Sequence, residues 1–151
     1  MNDFAQSLMD KSLAFAVRIA RLAQFLSEEK REFVLSRQIV RSGTSIGANV
    51  REAQFAQSDA DFISKLSIAL KEGTETQYWL EVLAKAEYIS DKQYRSLRND
   101  IDRLVGLLVR VVKAKKRNLG LPLIRTKATN SSAKDWRLHD ETSKTDNSLT
   151  L

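Results

Sequence analysis

The 151-residue chain contains no cysteine, one proline, five glycines and a single histidine, His139. Without cysteine there is neither a disulfide nor a thiolate metal site. That suits a reducing compartment, and we expect a cytoplasmic protein. Strand-rich domains need many turns, and turns draw on proline and glycine, so their scarcity favours a few long helices. No stretch approaches the roughly 18 uncharged apolar residues of a membrane-spanning helix, and no membrane partner is expected. The start, Met1-Asn2-Asp3-Phe4, lacks the basic and apolar regions of a signal peptide.

What the chain does have is ordinary for a soluble domain, with 42% hydrophobic and 29% charged residues. A chain of this length can bury a sizeable core as one domain. Its formal charge of +6 and pI near 9.7 are compatible with a polyanionic partner, RNA or DNA.

Four segments space apolar residues by threes and fours, the pattern of an amphipathic helix. The first aligns Leu8, Ser12, Phe15, Ile19, Leu22 and Leu26. It ends at Ser27-Glu28-Glu29-Lys30, where a serine followed by acids predicts the start of a second helix. The second aligns Leu35, Ile39, Ser42, Ile46, Asn49 and Ala53. The third starts at Ser58 or Asp59 and aligns Phe62, Leu66, Ala69, Gly73, Thr76, Leu80 and Leu83. The fourth opens on Ser90-Asp91-Lys92-Gln93, a capping box, and aligns Tyr94, Leu97, Ile101, Leu104, Leu108 and Val111.

Helices of about 22 to 30 residues, roughly 35 to 45 Å long, joined by short connections, predict antiparallel neighbours. The expected fold is an all-α, up-down-up-down four-helix bundle over residues 1–117. Asn118-Leu119-Gly120-Leu121-Pro122 then stops the last helix. Residues 118–151, rich in Ser, Thr, Asn, Lys and Asp beyond that stop, predict a flexible tail in which Trp136 and Leu138 are the apolar exceptions.

Catalytic chemistry finds little to work with. A carboxylate-bridged di-iron site would need Glu-x-x-His pairs on two helices. Glu72 and Glu75 are suitably spaced and Glu52 could face them, but His139 lies in the tail. Gly43-Thr44-Ser45-Ile46-Gly47 lacks the lysine of a phosphate-binding loop. We therefore expect no enzyme activity, no cofactor and no metal. Within a helix, Gly43 and Gly47 each cost up to about 1 kcal/mol relative to alanine, which close approach of another helix would offset.

Positive charge gathers in two places. Arg110, Lys113, Lys115, Lys116 and Arg117 crowd the end of the fourth helix, where they either complement its dipole or contact phosphates. Arg37, Arg41 and Arg51 share a face of the second helix, where pairing with Glu52 or Asp59, or with another subunit, is the plainer reading. Trp79, in line with Ile68, Glu72, Glu75 and Val82 and next to Tyr78, predicts an apolar stripe exposed in a monomer and covered by self-association.

The run Leu35 to Ala53, read with Asp61-Phe62-Ile63, Ile68-Ala69-Leu70-Lys71-Glu72 and Glu75-Thr76-Gln77-Tyr78-Trp79-Leu80, resembles the bacterial four-helix-bundle proteins, also called 23S rRNA intervening-sequence proteins. The likeness covers roughly Phe4 to Lys116. Its most specific part is Ser42, Ser45, Ile46 and Asn49 followed by Glu52, with Glu72 and Trp79 downstream. The chain departs from the family in reading Arg51-Glu52-Ala53 where Ala-Glu-Gly is frequent. The resemblance implies a ring-like homopentamer, and it extends to the accessory variability determinant of diversity-generating retroelements, a basic pentamer that binds nucleic acid and partners a reverse transcriptase.

The resulting expectation is a non-catalytic homo-oligomer that binds RNA or DNA through Arg110, Lys113, Lys115, Lys116, Arg117, Arg37 and Arg41, with a reverse transcriptase as a further partner. The alternative is a protein–protein scaffold whose charges are merely solvated. In either case Ser42, Ser45, Ile46, Asn49, Glu52, Glu72 and Trp79 serve the bundle and its assembly.

Overall fold

The computed structural model describes residues 3–123, with the side chains of Asp3 and Phe4 left aside. Four helices account for nearly all of them: α1 (Asp3–Glu28), α2 (Leu35–Ala53), α3 (Asp59–Lys85) and α4 (Asp91–Asn118). Each packs on the next, and α1 meets α4 to close the circuit along its least extensive seam. The bundle is up-down-up-down, as its short connections require. The part of the expected tail beyond residue 123 lies outside the described residues.

The core follows the predicted seams closely. Ile19, Leu26, Ile39, Ile46, Leu80, Leu83, Ile101, Leu104 and Leu108 are almost completely buried. Full burial of each such side chain contributes about 1.5–3 kcal/mol before ordering costs. The seams differ from expectation at their ends. Val50 is buried in place of Asn49, Ile63 lies deeper than Phe62, and Val112 deeper than Val111, while Leu35 and Tyr94 are half-buried. Asn49 stays at the rim, its amide donating to the Ser45 carbonyl at 2.9 Å.

Two helix starts are built as predicted. Ser58 accepts from the Asp61 N–H, and Ser90 and Gln93 complete a reciprocal capping box. The first turn is different. Ser27 does not begin a helix: its hydroxyl donates back to the Ala23 carbonyl at 2.6 Å, and α1 continues to Glu28. The chain reverses through Arg31 at φ 53°, and α2 starts only at Leu35, which leaves it 19 residues long, shorter than expected. Its cap is the buried Glu32. That carboxylate accepts from the N–H groups of Val34, Leu35 and Ser36 at 2.8–2.9 Å, three donors the helix itself leaves unpaired.

Burial alone would raise the pKa of Glu32. The N–H groups of Leu35, Ser36 and Val34, with the Ser36 hydroxyl, outweigh burial and hold it below its ordinary value of 4.5.

Gly43 explains how α1 and α2 come so close. A Cβ there would sit 2.9 Å from Ile19 Cγ1, and one at Gly47 would touch the Ser12 backbone at 3.5 Å. Gly73 does the same for α4, where Val105 Cγ2 lies 2.9 Å from the site of a Cβ. Gly120, at φ 64°, ends α4. The Leu121 N–H bonds to the Lys116 carbonyl and the Gly120 N–H to that of Arg117, so the helix closes in a Schellman turn.

Two measurements test this account. Because the folded-state pKa of Glu32 is depressed, its stabilisation is complete above the unfolded value and lost as pH falls through the folded one. Urea melts should therefore show Glu32→Gln less stable at neutral pH by about 1 kcal/mol, with a shallower decline on acidification than the parent. Gly43→Ala should cost about 1–3 kcal/mol by overpacking Ile19. In contrast Gly106→Ala, in the middle of α4 with nothing within 4 Å of its would-be Cβ, should gain up to about 1 kcal/mol.

Candidate functional site

The charges on α2 turn inward to α3 more than outward. Arg41 spans two carboxylates, bonding Glu75 through one guanidinium nitrogen and reaching Glu72 with the other at 3.4 Å. Its hydrogen bond to Glu75 raises the guanidinium's pKa, and the same bond, assisted by the Trp79 indole N–H, lowers that of Glu75. The pairing expected of this face therefore crosses to the next helix. Glu52 instead takes Lys65, and Asp59 takes Lys115, each at 2.5 Å. Arg37 donates its Nε proton to the Phe33 carbonyl at 2.7 Å and remains exposed, as does Arg51.

The motif residues cluster at the same α2–α3 seam. Ser42 and Thr76 are fully buried, and the Thr76 hydroxyl lies 2.9 Å from Ser42 Oγ and 2.8 Å from the Glu72 carbonyl. Ile46 fills the core beside them, and the Ser45 hydroxyl donates to the Arg41 carbonyl at 2.6 Å. Trp79 is half-buried against the core, its indole N–H donating to Glu75 at 3.1 Å and its ring edge-on to Tyr78. The expected exposed stripe thus reduces to Tyr78 and the rim of Ile68. Among the described residues, no group of three His, Cys, Asp or Glu side chains is placed to hold a metal ion.

Two shallow apolar hollows lie along the α1–α2 groove. One, of about 510 Å³, is lined by Ala23, Phe33, Val40 and the stems of Arg37 and Arg41. The smaller follows Met9, Leu13, Ala16 and Ala48. Of the large apolar residues that line them, Leu13 and Phe33 are exposed.

The cations of α4 form a line longer than the cluster seen in the sequence. Lys92, Arg95, Asn99, Arg103, Gly106, Arg110, Lys113 and Arg117 recur every three or four residues on the side opposite the buried Leu97, Ile101, Leu104, Leu108 and Val112. The line extends about 37 Å at the rise of an α-helix. Arg103, Arg110 and Arg117, seven residues apart, are exposed and make no ion pair among the described residues. Two of the three acids of this helix are otherwise engaged: Asp100 bonds Arg18 of α1, and Asp102 takes Arg98 and Gln77, while Asp91 lies in its first turn. After Asp102 no acidic residue appears before Asp135. Lys115 departs from the line, lying across Phe62 at 5.7 Å with Asp59 as its partner. Arg103, Arg95 and Lys92 escaped the sequence reading because they are dispersed, although their spacing on an evident helix was signal enough.

The profile of the 23S rRNA-intervening sequence protein family matches residues 6–110. The chain belongs to that family. Among solved structures it is similar to a protein of unknown function from the S23 ribosomal protein family of Bacteroides thetaiotaomicron VPI-5482. That protein is 57% identical and superposes with a TM-score of 0.72, over 73% of this chain and 98% of its own. No curated protein gives a significant match. The family description names no catalytic activity. As for membranes, no helix among the described residues is long and apolar enough to cross one.

The two kinds of cation on α4 should separate by experiment. Lys115→Ala removes a partly exposed ion pair and an aromatic contact, and should lower stability in a denaturant melt by about 1 kcal/mol or less. Arg110→Ala, with no partner to lose, should leave the melt unchanged within about 0.5 kcal/mol.

Proposed function

We propose that this member of the family is a non-catalytic homo-oligomer that holds nucleic acid by its phosphates, through the cationic outer face of α4. The observation that carries the reading is the in-line set Arg103, Arg110 and Arg117, exposed and without ion-pair partners among the described residues. Cations that serve a bundle's own stability find carboxylates, as Arg18, Arg41, Lys65 and Lys115 do here. The chain's net charge of +6 acts in the same direction.

Self-association is supported by the exposed apolar rim of the α1–α2 groove, since a patch of this kind is commonly an interaction surface. A ring of five, which the family resemblance implies, would repeat the α4 face around an axis. Several weak phosphate contacts would then act together, with multivalency raising the affinity. An accessory part beside a reverse transcriptase, in the cytoplasm, is the setting that resemblance suggests. The groove also favours a second reading, a protein–protein scaffold with no nucleic-acid role.

Size-exclusion chromatography with light scattering, with and without a structured RNA at about 150 mM salt, tests the proposal. The expected result is a mass near five times 17.1 kDa that shifts when RNA is added. Changing Arg103, Arg110 and Arg117 to Glu should weaken RNA binding by at least about tenfold while the oligomer survives. An oligomer indifferent to both RNA and DNA would leave the scaffold as the function.

A further inference from the structure

Resting on the nucleic-acid reading above, we infer that the ligand of the α4 face is double-stranded, bound along its phosphates without regard to sequence. The geometry of the cationic line points there. Proteins that hold single strands use a positively charged groove in which aromatic side chains stack on successive bases. The α4 face has neither feature. It is the outer side of a single helix, and the one aromatic residue of α4, Tyr94, is half-buried with its hydroxyl taken by Arg98 at 3.2 Å. A splayed base would find no ring to lie on.

A duplex needs no such platform. It is a stiff rod with about one phosphate charge per 1.7 Å of axis, twice the linear density of one strand, and it releases more counterions per contact. A rigid row of cations meets such a rod without first ordering it, whereas a flexible strand must be straightened at an entropic cost. Arg103, Arg110 and Arg117 recur about every 10.5 Å, and Lys92 and Arg95 carry the row to about 37 Å, close to one turn of duplex.

Sequence readout is not provided for. Base edges are read by side chains presented inside a groove, with Asn or Gln for adenine and Arg for guanine. Asn99 is the one amide on this line, and Arg103, Arg110 and Arg117, about 10.5 Å apart, are too sparse to read successive bases about 3.4 Å apart. Backbone contacts fix position and carry no sequence information.

The test is fluorescence anisotropy with the full chain. The probes are labelled duplexes of about 20 base pairs, one of RNA and one of DNA, and the matching single strands, titrated between about 50 and 200 mM salt. The duplexes should bind at least about fivefold more tightly than the strands, and two unrelated duplex sequences should bind equally within about twofold. Arg103→Glu with Arg110→Glu should weaken duplex binding at least tenfold and reduce the salt slope by about two. Lys71→Glu, an exposed change on α3 next to Glu72 at the α2 seam, should alter duplex affinity by less than about threefold.

Single strands bound as tightly as duplexes, or a strong preference for one duplex sequence, would overturn this inference and leave the proposed function standing. Failure to bind any of the probes would overturn both. If the Arg103→Glu, Arg110→Glu variant kept its binding and changed only its mass in light scattering, the α4 face would be a subunit contact and the inference would fall. Circular dichroism of each variant distinguishes lost binding from lost helix. Should the double variant unfold, the neutral pair Arg103→Gln and Arg110→Gln takes its place, with the same direction of change required.

Discussion

The side chain of Ile19 occupies the space that any residue larger than glycine at position 43 would need. Much of the bundle depends on that intimacy. It brings α1 against α2 closely enough for Ser12 to lie beside Gly47, and it leaves the other side of α2 free to exchange buried hydroxyls and ion pairs with α3. A helix with two Gly, three Ser and a Thr among its 19 residues has modest intrinsic propensity. Its order derives from two neighbours and from the three N–H groups gathered by Glu32. The shortest helix is thus also the most densely engaged.

A division of labour among charges follows. Carboxylates on α3 and α4 meet cations from other helices at three of the four seams: Arg18 with Asp100, Arg41 with Glu72 and Glu75, Lys115 with Asp59. Exposed pairs of this kind contribute little stability singly, but they set which helix faces which and at what register. Arg103, Arg110 and Arg117, in line on the outer side of α4, have no such pair among the described residues. Their lack of internal employment is the reason to look outward for a partner.

Much of this was legible in the sequence. The seams of α1, α2 and α4 could be read because each puts most of its apolar residues on one side. That of α3 could be read although Ile68 and Tyr78 lie off it, and Ser58, Ser90 and Gly120 mark boundaries by well-understood chemistry. Ser27 misled because a serine ahead of acids resembles a cap, and only the fold shows its hydroxyl turned back to Ala23. Glu32 as the true cap was hidden, since a long carboxylate reaching three amides depends on how the turn through Arg31 is made. The partners of Arg41 were likewise beyond reach, because they are fixed by the register between α2 and α3. The crowded basic end of α4 drew attention to five adjacent cations. The sparser row through Arg103 emerges once the buried face is known and its opposite can be drawn.

That row has a bearing on how such a protein changes over generations. The outer half of α4 faces away from the core, and near its middle Gly106 has no neighbour within 4 Å. Replacements at Arg103, Gly106, Arg110 and Arg117 disturb neither packing nor an ion pair among the described residues, so the sign and density of charge along this rod can drift while the bundle stays as it is. Related chains can therefore share the scaffold closely and still differ in what they grasp. In this fold, divergence of binding is cheap on α4 and costly on α2.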